Sequence, residues 1–298
     1  MKILQSITLV GLLALLISCS NQESHGDQEL TRRGYRLERH VSTNGPKPAP
    51  GEYAYFQIVM RHQDSIFNTS YGSDQIPRIR IPAEEEYTEE TPVIVDALAM
   101  MSAGDSATLY FPLDSLDQVP PAFADIDVIE YDLKFLEIKT DEEFKAEMQE
   151  ILDQRAAEMD AVRARKPEIV ATAEKALADY KAGRIQNLQK TESGLEYVIH
   201  EEGTGAMPKN GDMVAVQYYG TFMDGKVFDN SYDQGEPYRF PLGQGRAIKG
   251  WDEGIGYLKQ GTRASLFIPP SLGYGESGYM DIPGNTQLYF LVELVEVN

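Results

Sequence analysis

Val216-Gln217-Tyr218-Tyr219-Gly220-Thr221, then Val227-Phe228-Asp229-Asn230-Ser231-Tyr232, then Leu242-Gly243-Gln244-Gly245-Arg246-Ala247-Ile248-Lys249-Gly250-Trp251 is the stretch that decides how this chain folds. Its first run is β-branched and aromatic, as a buried strand is. Its middle places one carboxylate, Asp229, among aromatic residues, and its end is the only tryptophan in 298 residues. Neither histidine nor cysteine stands in it, so it offers no nucleophile–base pair and no metal set. An acid in an aromatic frame suggests a site that works by shape and exclusion of water.

Working outward, residues 190–298 read as strands around one short helix near 249–258. Leu195–Ile199, Asp212–Tyr219, Thr262–Ile268 and Leu288–Val295 are the strand runs, broken by Gly and Pro. Residues 30–139 are β-rich in the same way. Between them, residues 140–189 turn helical: Thr140 and Glu143 have capping-box spacing, and Phe144, Met148, Ile151, Leu152, Met159 and Val162 recur at helical intervals. Pro167 ends that helix and suits the first turn of another, whose stripe is Ile169, Val170, Ala173, Leu177 and Tyr180. A connector packing its stripe on neighbouring sheets and a homodimer through this helical linker both fit the spacing.

The two β-rich blocks echo each other. Phe67-Asn68-Thr69-Ser70-Tyr71 matches Phe228-Asp229-Asn230-Ser231-Tyr232, and Gly104–Pro112 matches Gly261–Pro269. Order and spacing agree, which reads as an internal duplication. Carried through it, Tyr218 falls on Ile58, Asp229 on Asn68 and Trp251 on Ile94, and the Leu272-Gly273-Tyr274-Gly275 segment has no counterpart.

Apolar content of 42% and charged content of 25% are those of a globular protein. A net charge of −20 excludes nucleic acid as a partner, because phosphate recognition needs clustered Lys and Arg. At the N-terminus, Lys2 precedes an apolar run, Ile7 to Ile17, too short to span a bilayer. Residues 1–18 read as a signal peptide and 19–29 as a flexible tether. Leu16-Ile17-Ser18-Cys19 resembles a bacterial lipoprotein signal, with lipidation at Cys19, the single cysteine. An ordinary secretory signal carrying an incidental cysteine is the other reading. The first implies an envelope protein anchored in a membrane through Cys19. Ser20 follows where some lipoproteins carry an inner-membrane aspartate, which leans the placement to the outer membrane.

Residues 193–298 resemble the FKBP-type (macrolide-binding) peptidyl-prolyl cis-trans isomerases. The match runs through the quoted stretch, Asp224-Gly225-Lys226, Phe240-Pro241-Leu242-Gly243, Asp252-Glu253-Gly254, Pro269–Gly275 and Phe290-Leu291-Val292-Glu293-Leu294. The resemblance implies an α+β fold: two FKBP-like domains, each a twisted antiparallel sheet wrapped around a short helix, the first degenerate. It implies Trp251 as pocket floor, with Tyr218, Phe228, Phe240 and Phe290 as walls and Tyr238 beside them. It further implies polar contacts from Asp229 and the Tyr274 hydroxyl, a donor in the Ile248 backbone N–H, and Ile282 on a flap. Ala247 stands where many relatives carry a bulkier aliphatic residue, and the flap Gly278–Gly284 departs in its middle.

The activity implied is prolyl isomerisation in unfolded, proline-containing exported polypeptides, with no cofactor and no metal. A non-catalytic module that grips such chains through the same pocket is the alternative. Gly243-Gln244-Gly245 lacks the rest of a phosphate loop, and the histidines (25, 40, 62, 200) have no ligand spacing.

Overall fold

A computed structural model describes residues 28–298 apart from Asp74 and Asp117. The expected signal, the tether up to residue 27 and Cys19 lie outside the described residues. Within them no helix is long and apolar enough to cross a membrane. The chain divides into two compact units, Met1–Met148 and Gln149–Asn298. The division falls inside one helix, so residues 140–189 do not form a unit of their own.

The first unit contains β1 (Gln28–Leu30), β2 (Arg36–Val41), β3 (Tyr53–His62), β4 (Ser65–Thr69), β5 (Arg78–Arg80), α1 (Val93–Met100), β6 (Ser106–Pro112) and β7 (Val128–Lys139). Helix α2 (Asp141–Ala164) follows and crosses into the second unit. There come α3 (Lys166–Lys181), β8 (Gln189–Lys190), β9 (Glu196–Glu201), β10 (Met213–Phe222), β11 (Val227–Asn230), β12 (Tyr238–Pro241), α4 (Lys249–Ile255), β13 (Arg263–Ile268) and β14 (Leu288–Val297).

The two sheets share one topology. The first runs β1-β2-β6-β7-β3-β4 with β5 also on β3; the second runs β8-β9-β13-β14-β10-β11 with β12 also on β10. All their ladders are antiparallel. Irregularities recur at matching places: between Tyr55 and Phe56 and between Ala215 and Val216, then between Met60 and Arg61 and between Gly220 and Thr221. A serine ties the strand pair two residues before each second irregularity. Ser70 Oγ accepts from the Ile58 N–H at 2.9 Å, and Ser231 Oγ accepts from the Tyr218 N–H at 2.8 Å. Each serine donates in turn to a glutamine, Gln57 or Gln217.

The units differ in what covers the sheet face opposite the short helix. In the second unit α4 closes one face over Leu195, Val216, Leu266 and Val292. The stripe of α3, Ile169, Ala173, Ala176 and Leu177, closes the other over Val198, Tyr219, Phe267, Tyr289 and Leu291. Two covered faces explain why β13 and β14 read as nearly continuous apolar runs rather than alternating ones. Truncating Ile169 or Leu177 to Ala costs about 2–5 kcal/mol by the usual cavity arithmetic. Arg165, between α2 and α3, adds an ionic pin: it and Arg263 pair with buried Glu293, at 2.7 and 2.6 Å. Burial raises the Glu293 carboxyl, but these two guanidinium groups outweigh it and hold it below the usual carboxylate range.

In the first unit the corresponding face carries polar side chains. Arg61 pairs with Glu130 and Asp132, Thr108 donates to Asp132, and Arg36 lies over the Tyr110 ring. The helical region thus does two things. Thr140 and Glu143 cap α2 reciprocally as the spacing predicted, with Thr140 N–H to Glu143 at 2.8 Å and Glu143 N–H to Thr140 at 3.2 Å. Pro167 stands in the first turn of α3. The stripe of α3 is consumed by the second unit's own sheet, whereas Ile151 and Leu152 of α2 remain exposed.

Candidate active site

Strands β10, β11, β12 and β14 converge on the N-terminal end of α4, and a cavity of about 600 Å³ opens there. Trp251 lies in the first turn of α4, 4% exposed, its ring edge-on to Tyr218 (5.1 Å) and Phe290 (5.3 Å). Phe228 meets Phe290 edge-on at 5.4 Å, and Tyr238 meets Trp251 at 6.2 Å. Such edge-to-face contacts pack positive ring edges on negative faces, which rigidifies the wall.

Gly220 makes this arrangement possible. A Cβ on it would stand 2.8 Å from Phe290 and 2.9 Å from Phe228, so any side chain would drive those rings apart. A second local device is Asp252, whose carboxylate accepts from the Gly243 N–H at 2.9 Å and the Gly245 N–H at 3.2 Å. It ties the loop before α4 to the helix and so fixes Arg246, Ala247 and Ile248 at the cavity edge.

The polar groups are few. The Tyr218 hydroxyl donates to Asp229 Oδ2 at 2.6 Å. Burial, then that carboxylate, push the Tyr218 hydroxyl far above the ordinary tyrosine range, so it stays a proton donor. The Tyr274 hydroxyl is raised for the same two reasons, burial first and the Asp229 charge second. Ile248 caps α4 in extended conformation (φ −65°, ψ 151°); its carbonyl accepts from the Trp251 N–H at 2.8 Å. Among the described residues the Ile248 N–H has no acceptor. The Trp251 Nε1–H is likewise buried without a partner there.

Every residue expected at the site is brought to this cavity save one. Tyr218, Phe228, Asp229, Tyr238, Ala247, Ile248, Trp251, Tyr274, Ile282 and Phe290 all line it. Phe240 instead sits fully buried behind the wall, stacked on Tyr238 at 5.3 Å and tilted against Trp251 at 5.8 Å. It shares a face of β12 with Tyr238, two residues away, but lies within the core cluster and supports the wall from there, while Tyr238 stands at the opening. Arg246, which the sequence did not point to, and Tyr279, Met280 and Asp281 of the expected flap complete the rim. Tyr279 and Ile282 exchange both backbone hydrogen bonds at 2.9 Å around a two-residue turn. Met280 in that turn has φ +48° and is 87% exposed, a conformation few non-glycine residues adopt. Tyr279 stacks on Tyr274 at 5.3 Å. The Tyr279–Ile282 spacing in a Gly-bounded segment was the available signal for this hairpin.

The equivalent place in the first unit is filled. Met60 stands where Gly220 does and packs against Phe111, Leu113 and Ile129 together with Phe123 and Tyr131. Phe67, the match of Phe228, is edge-on to Phe123 at 5.3 Å. The short helix also corrects one pairing drawn from the sequence. Pro92 caps α1 as Ile248 caps α4, with Val95 N–H to Pro92 O at 3.0 Å. Four residues past each cap stands an aspartate, Asp96 or Asp252. The counterpart of Trp251 is therefore Val95, not Ile94: the intervening loops differ in length by one residue, which alignment from Gly104 and Gly261 cannot register. Proline at the cap has no N–H to offer.

A family model described as FKBP-type peptidyl-prolyl cis-trans isomerase matches residues 205–295. The FKBP-type peptidyl-prolyl cis-trans isomerase FkpA of Aeromonas hydrophila is 46% identical over 112 residues, 38% of this chain and 41% of that protein. FK506-binding protein 2 of Dictyostelium discoideum is 48% identical over 91 residues, 30% of this chain and 68% of that protein. A probable FKBP-type peptidyl-prolyl cis-trans isomerase of Haemophilus influenzae is 38% identical over 169 residues, 55% of this chain and 68% of that protein. The chain thus spans less than half the length of the Aeromonas relative.

Proposed function

This chain belongs to the FKBP-type peptidyl-prolyl cis-trans isomerase family, and from that premise we propose that its second unit interconverts cis and trans Xaa-Pro bonds without a covalent intermediate. The observation that carries this is the aromatic cavity around Trp251, edged by an unengaged backbone donor at Ile248. A peptide bond is planar through delocalisation of nitrogen density into the carbonyl, and turning it costs ~18–20 kcal/mol. For Xaa-Pro bonds the exchange takes tens to hundreds of seconds. The twisted transition state has lost that conjugation and is less charge-separated than the planar amide. A dry aromatic cavity therefore favours it over the ground state. The Ile248 N–H holds the substrate carbonyl in the twisted geometry. The Tyr218–Asp229 pair fixes the polar edge. Each 1.36 kcal/mol of preference is tenfold in rate.

The substrates are proline-containing segments of unfolded exported polypeptides. Export rests on Lys2 and the apolar run Ile7 to Ile17, and anchoring at the cell envelope on Cys19, with the outer membrane favoured by Ser20. Palmitate labelling of wild type, absent from Cys19→Ala, is the expected outcome; equal labelling of both removes the anchor. The first unit contributes no turnover, since its cavity is filled by Met60 and its cap lacks the N–H.

The enzyme reading is tested by proline-limited refolding and a prolyl-peptide assay on the full chain. Wild type accelerates exchange, while Phe290→Ala and Asp229→Ala lower kcat/KM by about tenfold or more. No acceleration by wild type, or equal rates in all three proteins, leaves only a peptide-gripping module.

A further inference from the structure

Asp229 is the penultimate residue of β11 and Tyr238 opens β12, so the segment between them, residues 230–237, sets where both stand around Trp251. This segment is held from outside by α2. Arg163 donates Nε to the Asp233 carbonyl at 3.3 Å and Nη2 to the Gln234 carbonyl at 3.0 Å. Arg155 donates Nε and Nη2 to Glu236 at 3.1 and 2.5 Å. Lys166, at the start of α3, pairs with Asp233. Gly235 lies against the helix backbone: at φ +81°, a Cβ there would stand 2.7 Å from the Met159 carbonyl oxygen.

The segment is also tied to the end of β11. Asn230 Nδ2 donates to Asp233 Oδ2, and the Asp233 N–H donates to Asn230 Oδ1, both at 2.9 Å. A groove of about 590 Å³ opens between Ile151, Met159 and Val162 of α2 and Gly235–Arg239. Apolar packing anchors the segment at Tyr232, in one cluster with Val162 of α2, but beside the groove residues 233–236 are set against the helix by the close approach of Gly235 and by these polar contacts. Exposed ion pairs alone are worth little. Arg163 differs, because one guanidinium bridges two successive carbonyls and so fixes the path of the backbone.

We infer that Arg155 and Arg163 are positioning residues for the pocket: by gripping residues 233–236 they hold Asp229 and Tyr238 in register around Trp251. Neither residue lines the cavity, and both lie outside the segment that the family model matches. The inference rests on the isomerase reading only for its kinetic arm.

The test uses the full chain carrying Arg155→Ala with Arg163→Ala. KM for a prolyl peptide rises about fivefold or more while kcat stays within about twofold, because misplacing wall groups weakens binding first. The emission of Trp251, the single tryptophan, shifts in parallel. Gly235→Ala displaces the loop from its own side and reproduces both changes. Arg155→Lys with Arg163→Lys falls between, since an ammonium pairs with Glu236 but does not bridge two carbonyls. Lys175→Ala, which breaks an exposed pair with Asp179 on α3, changes neither readout. Unchanged KM and emission in both the double variant and Gly235→Ala overturn the inference. Absence of turnover in wild type sinks the isomerase reading instead; Trp251 emission and amide exchange over residues 230–238 then decide the positioning role on their own.

Discussion

The first and second units place the same strands in the same order, shift register at matching positions and carry the same serine–glutamine pair just before the shift. They part at the group opposite the wall, Met60 against Gly220, and at the helix cap, Pro92 against Ile248. A methionine fills the volume that a glycine leaves for two rings. A proline deletes the backbone donor that Ile248 offers at the cavity edge. Both differences fall on the cavity and leave the scaffold intact, so a sheet framework and a binding site are separable properties of one fold.

Giving the second unit the first unit's residues is the most direct way to break this contrast. Gly220→Met forces the Phe228 and Phe290 rings apart, and we expect it to abolish prolyl-peptide turnover and to cost about 1–3 kcal/mol in urea unfolding, the usual penalty of overpacking. Retained activity would show that ring placement is not what matters.

Ile248→Pro acts more locally. The cap already has φ −65°, which proline adopts, so α4 persists while the N–H is lost. A fall of about tenfold in kcat/KM, the value of roughly one hydrogen bond in the transition state, is expected with an unchanged far-ultraviolet spectrum. Ile248→Val keeps the N–H and should remain active.

Alkaline pH sharpens the comparison in stability. Burial raises Tyr218, Tyr232 and Tyr289 strongly in the second unit, and Tyr55 in the first. A group whose folded pKa lies above its unfolded value, about 10 for tyrosine, stabilises fully below that value and loses its contribution as pH rises past it. Urea unfolding followed by Trp251 emission should therefore show the second unit weakening above about pH 10, more steeply than the first followed by circular dichroism. Tyr289→Phe should flatten that limb.

The smallest effect tests the shared part. Ser231→Ala and Ser70→Ala each strip a buried N–H of its acceptor, and each unit should lose a similar amount, about 1–3 kcal/mol. Unequal losses would mean that the matching serine contacts carry different weight in the two units.

Much of this was legible in the residues. The resemblance carried by the aromatic set and Asp229 implied the pocket, and Thr140, Glu143 and Pro167 gave the helix boundaries because capping and proline chemistry are local. Phe240 read as a wall residue, yet on the same face of β12 it packs into the core behind Tyr238, a depth that strand periodicity does not encode. Arg246 was missed, since an exposed Arg carries no pattern, and of the expected flap only Ile282 was named as lining. The match of Trp251 slipped by one residue because only the cap hydrogen bonds locate the start of each short helix.

By itself the sequence determined the α+β class, the duplication, and which copy holds the tryptophan and the acid, because strand periodicity, turn residues and aromatic content are written in neighbouring positions. Tertiary structure alone decided that α3 covers one sheet face, that Met60 fills what Gly220 leaves open, and that α2 grips the loop between β11 and β12. Those are contacts between residues many positions apart, and their outcome depends on which volumes meet, a quantity no local pattern encodes.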